Sequence, residues 1–513
     1  MPRRRSARRH GLVACRLLAY LQCAGLLTGQ TPPQTPKEAP KAAPVAPKPA
    51  TAPSTANQPP AATVPQAAVQ FRAPDGTRFV LLPDPSASLV HWAVASPIDT
   101  ADDPAGLEGL GAVTALASLG GTWRTGSLDA GRERQALAAQ DEALQALRSD
   151  SRDAGALQRL AASQATLQEV GDPMAFRRVL ATLPTHDVEV VARDAAAVLQ
   201  LTTLPEAIGA VGAMLVERRE QQALRDLGRV LVAELAARQN RYDADPAAAV
   251  HTELLALALP DHPATRASER VGRSQPRRAQ ALAVWQATQR PERTVHVLSG
   301  GFDPVPVRRT LEQVFATTNL PPTTAAAVAT PQPPRSLRRS IVPGVRIPMV
   351  SCAWVLPANG NPFELDVAAR WLGDGPSSWL ARALAKSGRK TAQVTCRAPW
   401  PAAIGGNTLL LVEVQDPAGI DGLVDLILQR CRSSTEQAPP MPELQAVLGA
   451  AQAHWTATSN DRRWFTQEVA RQALLWPLQP PRTSVPTAVD PGAIRKILAT
   501  ILASQPIVVE GRR

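Results

Sequence analysis

The seven histidines of this 513-residue chain are His10, His91, His186, His251, His262, His296 and His454. They are the side chains suited to hold a metal or to move a proton near neutral pH. No two lie three or four residues apart, so none makes the i,i+4 pair of a helical zinc motif. His186-Asp-Val-Glu189 has the His-x-x-Glu spacing, but Val190 follows where a second histidine is required. His251-Thr-Glu253 with His262 offers only a loose metal group, and ordinary solvated polar residues are the plainer reading. His454 beside Trp455 on an Ala-rich stretch reads as packing or surface. Neither a Gly-x-Ser-x-Gly nucleophile turn nor a phosphate-binding Gly-Lys loop occurs. Of five cysteines, Cys15 and Cys23 lie near the N-terminus, leaving Cys352, Cys396 and Cys431. An odd number permits at most one internal disulfide. Cys352 and Cys396 sit in strand-like runs where a bridge is conceivable, with buried thiols as the expected state.

The segment 102–122, DDPAGLEGLGAVTALASLGGT, carries the frame of a metal-site helix without its ligands. Anchored on Gly109-Leu110 and Gly121-Thr122, it resembles the metal-site segment of the pitrilysin/insulinase family of zinc metallopeptidases. In that family a Gly-Leu pair precedes a helix reading His-x-x-Glu-His. The resemblance puts the first histidine on Ala112, the glutamate on Ala115 and the second histidine on Leu116. Ala and Leu offer zinc no lone pair and water no base. Other segments resemble the family in order: the Pro-Asp-Gly hairpin of residues 71–84, His262-Pro263, and Ser299-Gly-Gly-Phe-Asp-Pro304. Val350 to Pro357 and Gly373-Asp-Gly-Pro-Ser-Ser-Trp-Leu380 continue the series, so the resemblance spans residues 70–513.

The family's third ligand is a glutamate on a later helix. Leu227-Gly-Arg-Val-Leu-Val-Ala-Glu234 resembles that segment and puts Glu234 at the ligand, with Leu227 at a supporting glutamate. One carboxylate does not hold zinc, and a solvated Glu234 or an i,i+4 pair with Arg238 is the plainer reading. In the second half, the family's substrate-holding Arg and Tyr fall on Ala385 and Ala392. A slipped register would offer Arg382 or Arg389 instead.

These positions need a scaffold, and the sequence outlines one. Residues 1–30 have a basic start (Arg3, Arg4, Arg5, Arg8, Arg9) and an apolar run, Leu17 to Leu27, of signal-peptide length and short for a membrane span. Lipidation at Cys23, twin-arginine export and an uncleaved anchor are alternatives. Residues 31–67 are rich in Pro, Ala, Thr and Lys and read as a disordered linker. Residues 68–318 and 335–513, separated by the Pro-rich stretch 319–334, each start with strand-like runs and continue into Ala/Leu-rich helices, an α+β pattern. The resemblance implies two homologous peptidase-like domains, each a sheet backed by helices. Within the first, residues 130–170 read as a helical hairpin broken at Asp150–Asp153, with leucines 137, 144, 147, 157, 160 and 167 as a narrow seam. A spacer packed on the flank is the plain reading of this insertion, and a partner-docking arm is the other.

The net charge is +11. Residues 1–30 hold six of the 55 basic residues and no acidic one, so the remainder carries +5. That gives little field to steer a polyanion, and nucleic-acid binding has no positive support. The expectation is an exported, periplasmic or extracellular protein with no catalytic residues, no metal and no cofactor. Active relatives carry zinc, and the resemblance implies an active insulinase-like paralogue as partner. The expected ligand is peptide or unfolded polypeptide, added to a sheet edge. A zinc endopeptidase with displaced ligands and a structural envelope scaffold are the alternatives.

Overall fold

The computed structural model describes residues 68–98, 103–104, 106–107, 109–193, 195–245, 247–259, 276–318, 334–356, 361–401, 408–477, 482–484 and 486–513. Residues 1–67, for which the sequence suggests an export signal and a linker, His262-Pro263 and nearly all of the stretch 319–334 lie outside the described residues.

A Pro-Asp-Gly turn joins β1 (Val69–Arg72) to β2 (Arg78–Pro83). Asp75 Oδ1 accepts from the Thr77 amide at 2.8 Å, closing the turn. The chain then forms β3 (Val90–Pro97), α1 (Leu110–Ala117) and a helical hairpin, α2 (Ala130–Ser149) and α3 (Ala154–Val170). After α4 (Ala175–Thr182) come β4 (His186–Arg193) and β5 (Ala196–Thr203). Next are α5 (Ile208–Glu220), α6 (Leu227–Ala244), α7 (Ala248–Ala258) and α8 (Arg278–Thr288). β6 (Val295–Gly300) and α9 (Pro304–Val314) finish the first half. Gly301 is dictated by close packing here, because a Cβ would lie 1.8 Å from the Ala87 carbonyl oxygen.

The second half repeats the plan. It runs β7 (Arg338–Pro343), β8 (Met349–Val355), α10 (Pro362–Gly373), α11 (Trp379–Lys386), β9 (Gln393–Trp400) and β10 (Leu409–Gln415). Helices α12 (Leu423–Ser433), α13 (Met441–Ser459), α14 (Arg462–Leu475) and α15 (Pro491–Leu502) lead to β11 (Ile507–Arg512). The first sheet has the order β1-β2-β6-β3-β5-β4 and the second β7-β11-β8-β10-β9. In both, a parallel pair (β2 with β6, β7 with β11) is followed by antiparallel neighbours. Without β1 the two sheets superpose strand for strand in order and sense. The duplication implied by family resemblance is therefore present in the topology.

Each sheet buries one face under helices of its own half. On the first, Phe79, Leu81, Trp92, Leu199 and Leu298 meet Ile208, Val211, Leu311 and Phe315. On the second, Val350, Cys352, Trp354, Val412 and Val508 meet Leu372, Leu384, Ile427 and Leu498. The opposite faces are covered by exchange. Helix α14, from the second half, lays Phe465, Val469 and Leu474 on Val80, Ala95, Val198 and Val297 of the first sheet. Helix α7, from the first half, lays Val250 and Leu254 on Met349, Ala353, Leu411 and Val509 of the second. Burying each large apolar side chain contributes about 1.5–3 kcal/mol. Losing both exchanged helices is thus comparable with the whole net stability of a domain, about 5–15 kcal/mol. From Pro65 to Arg513 the chain packs as one unit.

The helical insertion matches its sequence outline. Asp129 caps α2 by accepting from the amides of Gly131 and Arg132, and Asp153 caps α3 through Ala156. Its seam is narrower than the leucines suggest: Ala136, Leu137, Ala143, Leu147 and Ala156 are buried, while Leu144, Leu157, Leu160 and Leu167 are only partly covered.

Candidate functional site

Asp103 fixes the start of α1, accepting from the backbone amides of Gly109 at 2.5 Å and Gly111 at 2.8 Å. A carboxylate on these otherwise orphaned amides also suits the positive end of the helix. One face of α1, Leu110, Val113 and Ala117, packs on Leu224 and on Leu227 and Leu231 of α6, with Ala281 and Val284 of α8 behind. On its other face Ala112 and Ala115 are buried with Ile98 and Ala197, and Val190 and Ala192 of the edge strand β4 pack against them. Leu116 is half-buried.

The positions that the resemblance gives to the two histidines and the glutamate are therefore apolar, and two of them lie inside a closed apolar cluster. Zinc needs nitrogen, oxygen or sulfur donors in a tetrahedral set; Ala112, Ala115 and Leu116 offer none, and the Thr114 hydroxyl is buried and donates to the Gly111 carbonyl. The residues present do not fit the metal. Glu234 lies half-buried on α6, whose Leu227 and Leu231 pack on α1. The side chain of Arg238 lies outside the described residues. Among the described residues, no three His, Cys, Asp or Glu side chains converge as a metal cluster.

Around this apolar helix stands a polar framework. Arg225, just before α6, is buried and reaches into the loop that leaves α1. Its Nη1 donates to the Gly120 carbonyl at 3.0 Å and its Nη2 to the Thr122 carbonyl at 2.8 Å. The same guanidinium pairs with Glu133 of α2, donating from Nη2 to Oε2 at 2.9 Å and from Nε to Oε1. Both side chains are buried, Glu133 completely. Gly121 is required where Arg225 passes: its φ is +96°, and a Cβ would lie 2.4 Å from the Arg225 Nη1. Thr122 donates from its hydroxyl to Glu217 and accepts from the Thr125 amide at 2.8 Å. Arg218, stacked 4.7 Å from the Trp285 ring, donates to Ser118 Oγ, and burial pushes its pKa down to about 9. Arg278 of α8 donates from Nη2 to Asp141 of α2 at 3.3 Å. Burial raises the Asp141 carboxyl above its ordinary range against the pull of Arg278. The insertion is thus pinned at its base by two charged pairs.

The remaining candidates are engaged elsewhere. Glu189 pairs with Arg463 of α14 at 2.6 Å, and His186 begins an exposed edge strand with a bulge between His186 and Glu189. His251 Nε2 meets Glu413 Oε2 at 2.7 Å and Glu253 accepts from Ser340 at 2.7 Å. Both contacts join α7 to the second sheet, so His251 and Glu253 serve the exchange of helices. His454 stacks edge-on against Trp464 at 6.4 Å. Ala385 is exposed near the end of α11 and Ala392 packs on the second core. The slipped-register arginines have partners of their own: Arg382 donates to Glu443 at 2.8 Å, and Arg389 donates to Asp416 at 3.2 Å and the Gly419 carbonyl at 2.8 Å. Cys352 and Cys396 are free buried thiols. Both register on Val412, one on each side of β10, which sets them two strand spacings or about 9–10 Å apart. That exceeds the reach of a disulfide. Burial pushes both thiols well above their ordinary pKa.

Arg225, Glu133, Arg218 and Arg278 went unnoticed in the sequence. Glu133 sits in a charged helix start, Gly131-Arg-Glu-Arg134, and its partner lies 92 residues away. Only contact across that separation distinguishes it from a solvated glutamate.

No protein-family model and no curated protein matches this sequence. Solved structures do. A protease from Helicobacter pylori is similar over 88% of this chain and 100% of its own, with a TM-score of 0.63 at 13% identity. A peptidase M16 inactive domain from Pseudomonas fluorescens is similar over 87% of this chain and 98% of its own, with a TM-score of 0.60 at 13% identity. The periplasmic protease PqqL from Escherichia coli is similar over 88% of this chain but 48% of its own length, with a TM-score of 0.56 at 11% identity. The fold is the one M16 peptidase-like proteins share, as the resemblance of residues 70–513 to the insulinase type implies.

Proposed function

We propose that this chain is a non-catalytic, insulinase-like protein that holds an extended peptide and works beside an active zinc-bearing paralogue. The observation that carries the reading is the burial of Ala112 and Ala115 among Ile98, Ala197, Val190 and Ala192. In a working site those positions would face a metal and a polarised water. Here they fill a dry contact between α1 and the edge strand β4. The second half agrees, with Ala385 and Ala392 in place of groups that would hold substrate.

Peptide binding does not require the metal. β4 is the outer strand of the first sheet and lies against α1, so an extended segment added there would run past the vacated helix. The carbonyls of Asp187 and Val188 already accept from Arg463 and Arg177, which puts an added strand at Glu189–Ala192. Export rests on residues 1–30, and among the described residues no helix is long and apolar enough to cross a membrane. The Pseudomonas fluorescens neighbour, named as an inactive domain, sets a precedent for this fold without catalysis.

The test combines two readouts on the purified protein supplied with zinc. An unfolded polypeptide such as reduced casein should bind without being cut, and Val191→Pro on β4 should abolish binding. Tagged protein recovered from its own cells should bring down an intact His-x-x-Glu-His homologue. Cleavage sensitive to a chelator would overturn the reading in favour of displaced ligands. Failure both to bind polypeptide and to recover a homologue would leave a structural scaffold instead.

A further inference from the structure

The two sheets match except at one edge. In the first, β2 is covered by β1, which runs antiparallel to it from Val69 to Arg72. The corresponding strand of the second sheet is β7, and among the described residues nothing pairs with its outer side. In the sequence, Pro331, Pro333 and Pro334 precede β7, and prolines have no amide to give a ladder.

β7 is furnished for a partner. Its Val342 packs toward α7, and Arg338 and Ser340 on the same side bond to Leu257 and Glu253 of that helix. The other side presents Ile341, 55% exposed, with Leu337, 44% exposed, four residues before it. Arg335, Arg339 and Arg346 lie close to this pair in the sequence, and no acidic residue occurs between 335 and 363. Arg339 shares the single buried carboxylate of Glu510 with Arg512, so the edge keeps an excess of positive charge. Arg335 and Arg346 are exposed and have no ion-pair partner among the described residues.

We propose that the outer edge of β7 is a docking site for an extended acidic segment of a partner protein, which adds a strand antiparallel to β7 as β1 adds to β2. Main-chain pairing supplies the register. Apolar side chains of the segment cover Leu337 and Ile341, and its carboxylates meet the arginines. A second copy of this chain is disfavoured as occupant, since edge-to-edge pairing would oppose two arginine-rich strands. The site lies on the other sheet from the β4 edge and does not depend on the proposed function.

Fluorescence anisotropy on the full chain tests this with two labelled peptides, one alternating Val and Glu, the other alternating Val and Lys. The Glu peptide should bind saturably, and the Lys peptide at least about tenfold more weakly. Ile341→Asp and the double variant Arg335→Glu/Arg346→Glu should each lower affinity for the Glu peptide by about tenfold or more. These side chains are exposed, so unchanged thermal unfolding would show that the variants still fold. Equal binding of both peptides, or binding indifferent to the variants, would overturn the proposal. No binding at all would reduce the arginines to guards against strand aggregation. Self-association that Ile341→Asp abolishes would put a second copy in the segment's place. Loss of Glu-peptide binding in Val191→Pro alone would move that peptide to β4, refuting this site while leaving the proposed function intact.

Discussion

The two halves share a sheet plan yet fill the space behind their third strand differently. In the first half, α1 is a short helix of small residues whose exit loop is held by the buried pair of Arg225 with Glu133, while Arg278 of α8 pairs with the partly exposed Asp141. In the second, α10 is longer and lies in a continuous apolar core that includes Leu365, Leu372 and Val412. Charged pairs beside it, such as Arg382 of α11 with Glu443 of α13, are partly exposed. Apolar burial stabilises without fixing a particular geometry, whereas a buried ion pair costs desolvation that only good geometry offsets. The first half therefore keeps an orienting framework around a helix whose Ala112, Ala115 and Leu116 are apolar. What the framework does hold is the loop 118–127 and the base of the insertion.

The strongest way to break this comparison is to separate the halves. A chain ending at residue 318 lacks α14, which leaves one face of the first sheet bare. It should fail to give a cooperative unfolding transition by circular dichroism. An independently folded fragment would show that the exchange of helices is ornamental. Next in size is the framework itself. Glu133→Ala or Arg225→Ala strands a buried charge and should lower stability in urea by about 3–5 kcal/mol. Arg382→Ala, acting on an exposed pair in the second half, should cost at most about 1 kcal/mol. Similar losses at the two places would erase the contrast.

The helical hairpin was legible because its signals are local: aspartates at both helix starts and a break at Asp150–Asp153. The β1–β2 turn was legible from Pro74-Asp75-Gly76 for the same reason. The exchange of α7 and α14 was not legible. An amphipathic helix shows which face it buries but not whose sheet it covers, and Phe465 and Val80 are 385 positions apart. The departure from the metal motif is readable only against a family frame, since Ala112, Ala115 and Leu116 by themselves are ordinary helix residues. Nothing in those three letters foretells that two of them are sealed under Val190 and Ala192.

Restoring a polar group at the vacated helix sharpens the contrast at smaller scale. Ala115→Glu forces a carboxylate into the apolar contact with β4 and should destabilise by about 1–3 kcal/mol from overpacking alone. Ala233→Glu, at an exposed position on α6, should change stability by no more than about 0.5 kcal/mol. An Ala115→Glu protein as stable as the parent would mean that this position faces open space.

Acidification separates the regions by sign. Burial works to raise the Glu413 carboxyl, but the hydrogen bond and charge of His251 outweigh it and hold the group below its ordinary range. Its contribution is present at neutral pH and is lost as pH falls below about 4. Asp141, raised by burial, behaves oppositely: folding becomes easier as it takes up its proton. Urea midpoints measured from neutral to acid pH should therefore fall less steeply in Glu413→Gln than in the parent, and more steeply in Asp141→Asn. The reverse order would assign the wrong cause to both groups.

The central claim is that the fold persists here without its metal. It is tested most directly by elemental analysis of zinc in the purified protein after dialysis against a weak chelator. The account predicts no zinc above the level of the buffer, with an unchanged thermal midpoint when zinc is added back. About one zinc per chain would contradict it, and would send the search for ligands to Glu234, His186 and Glu189.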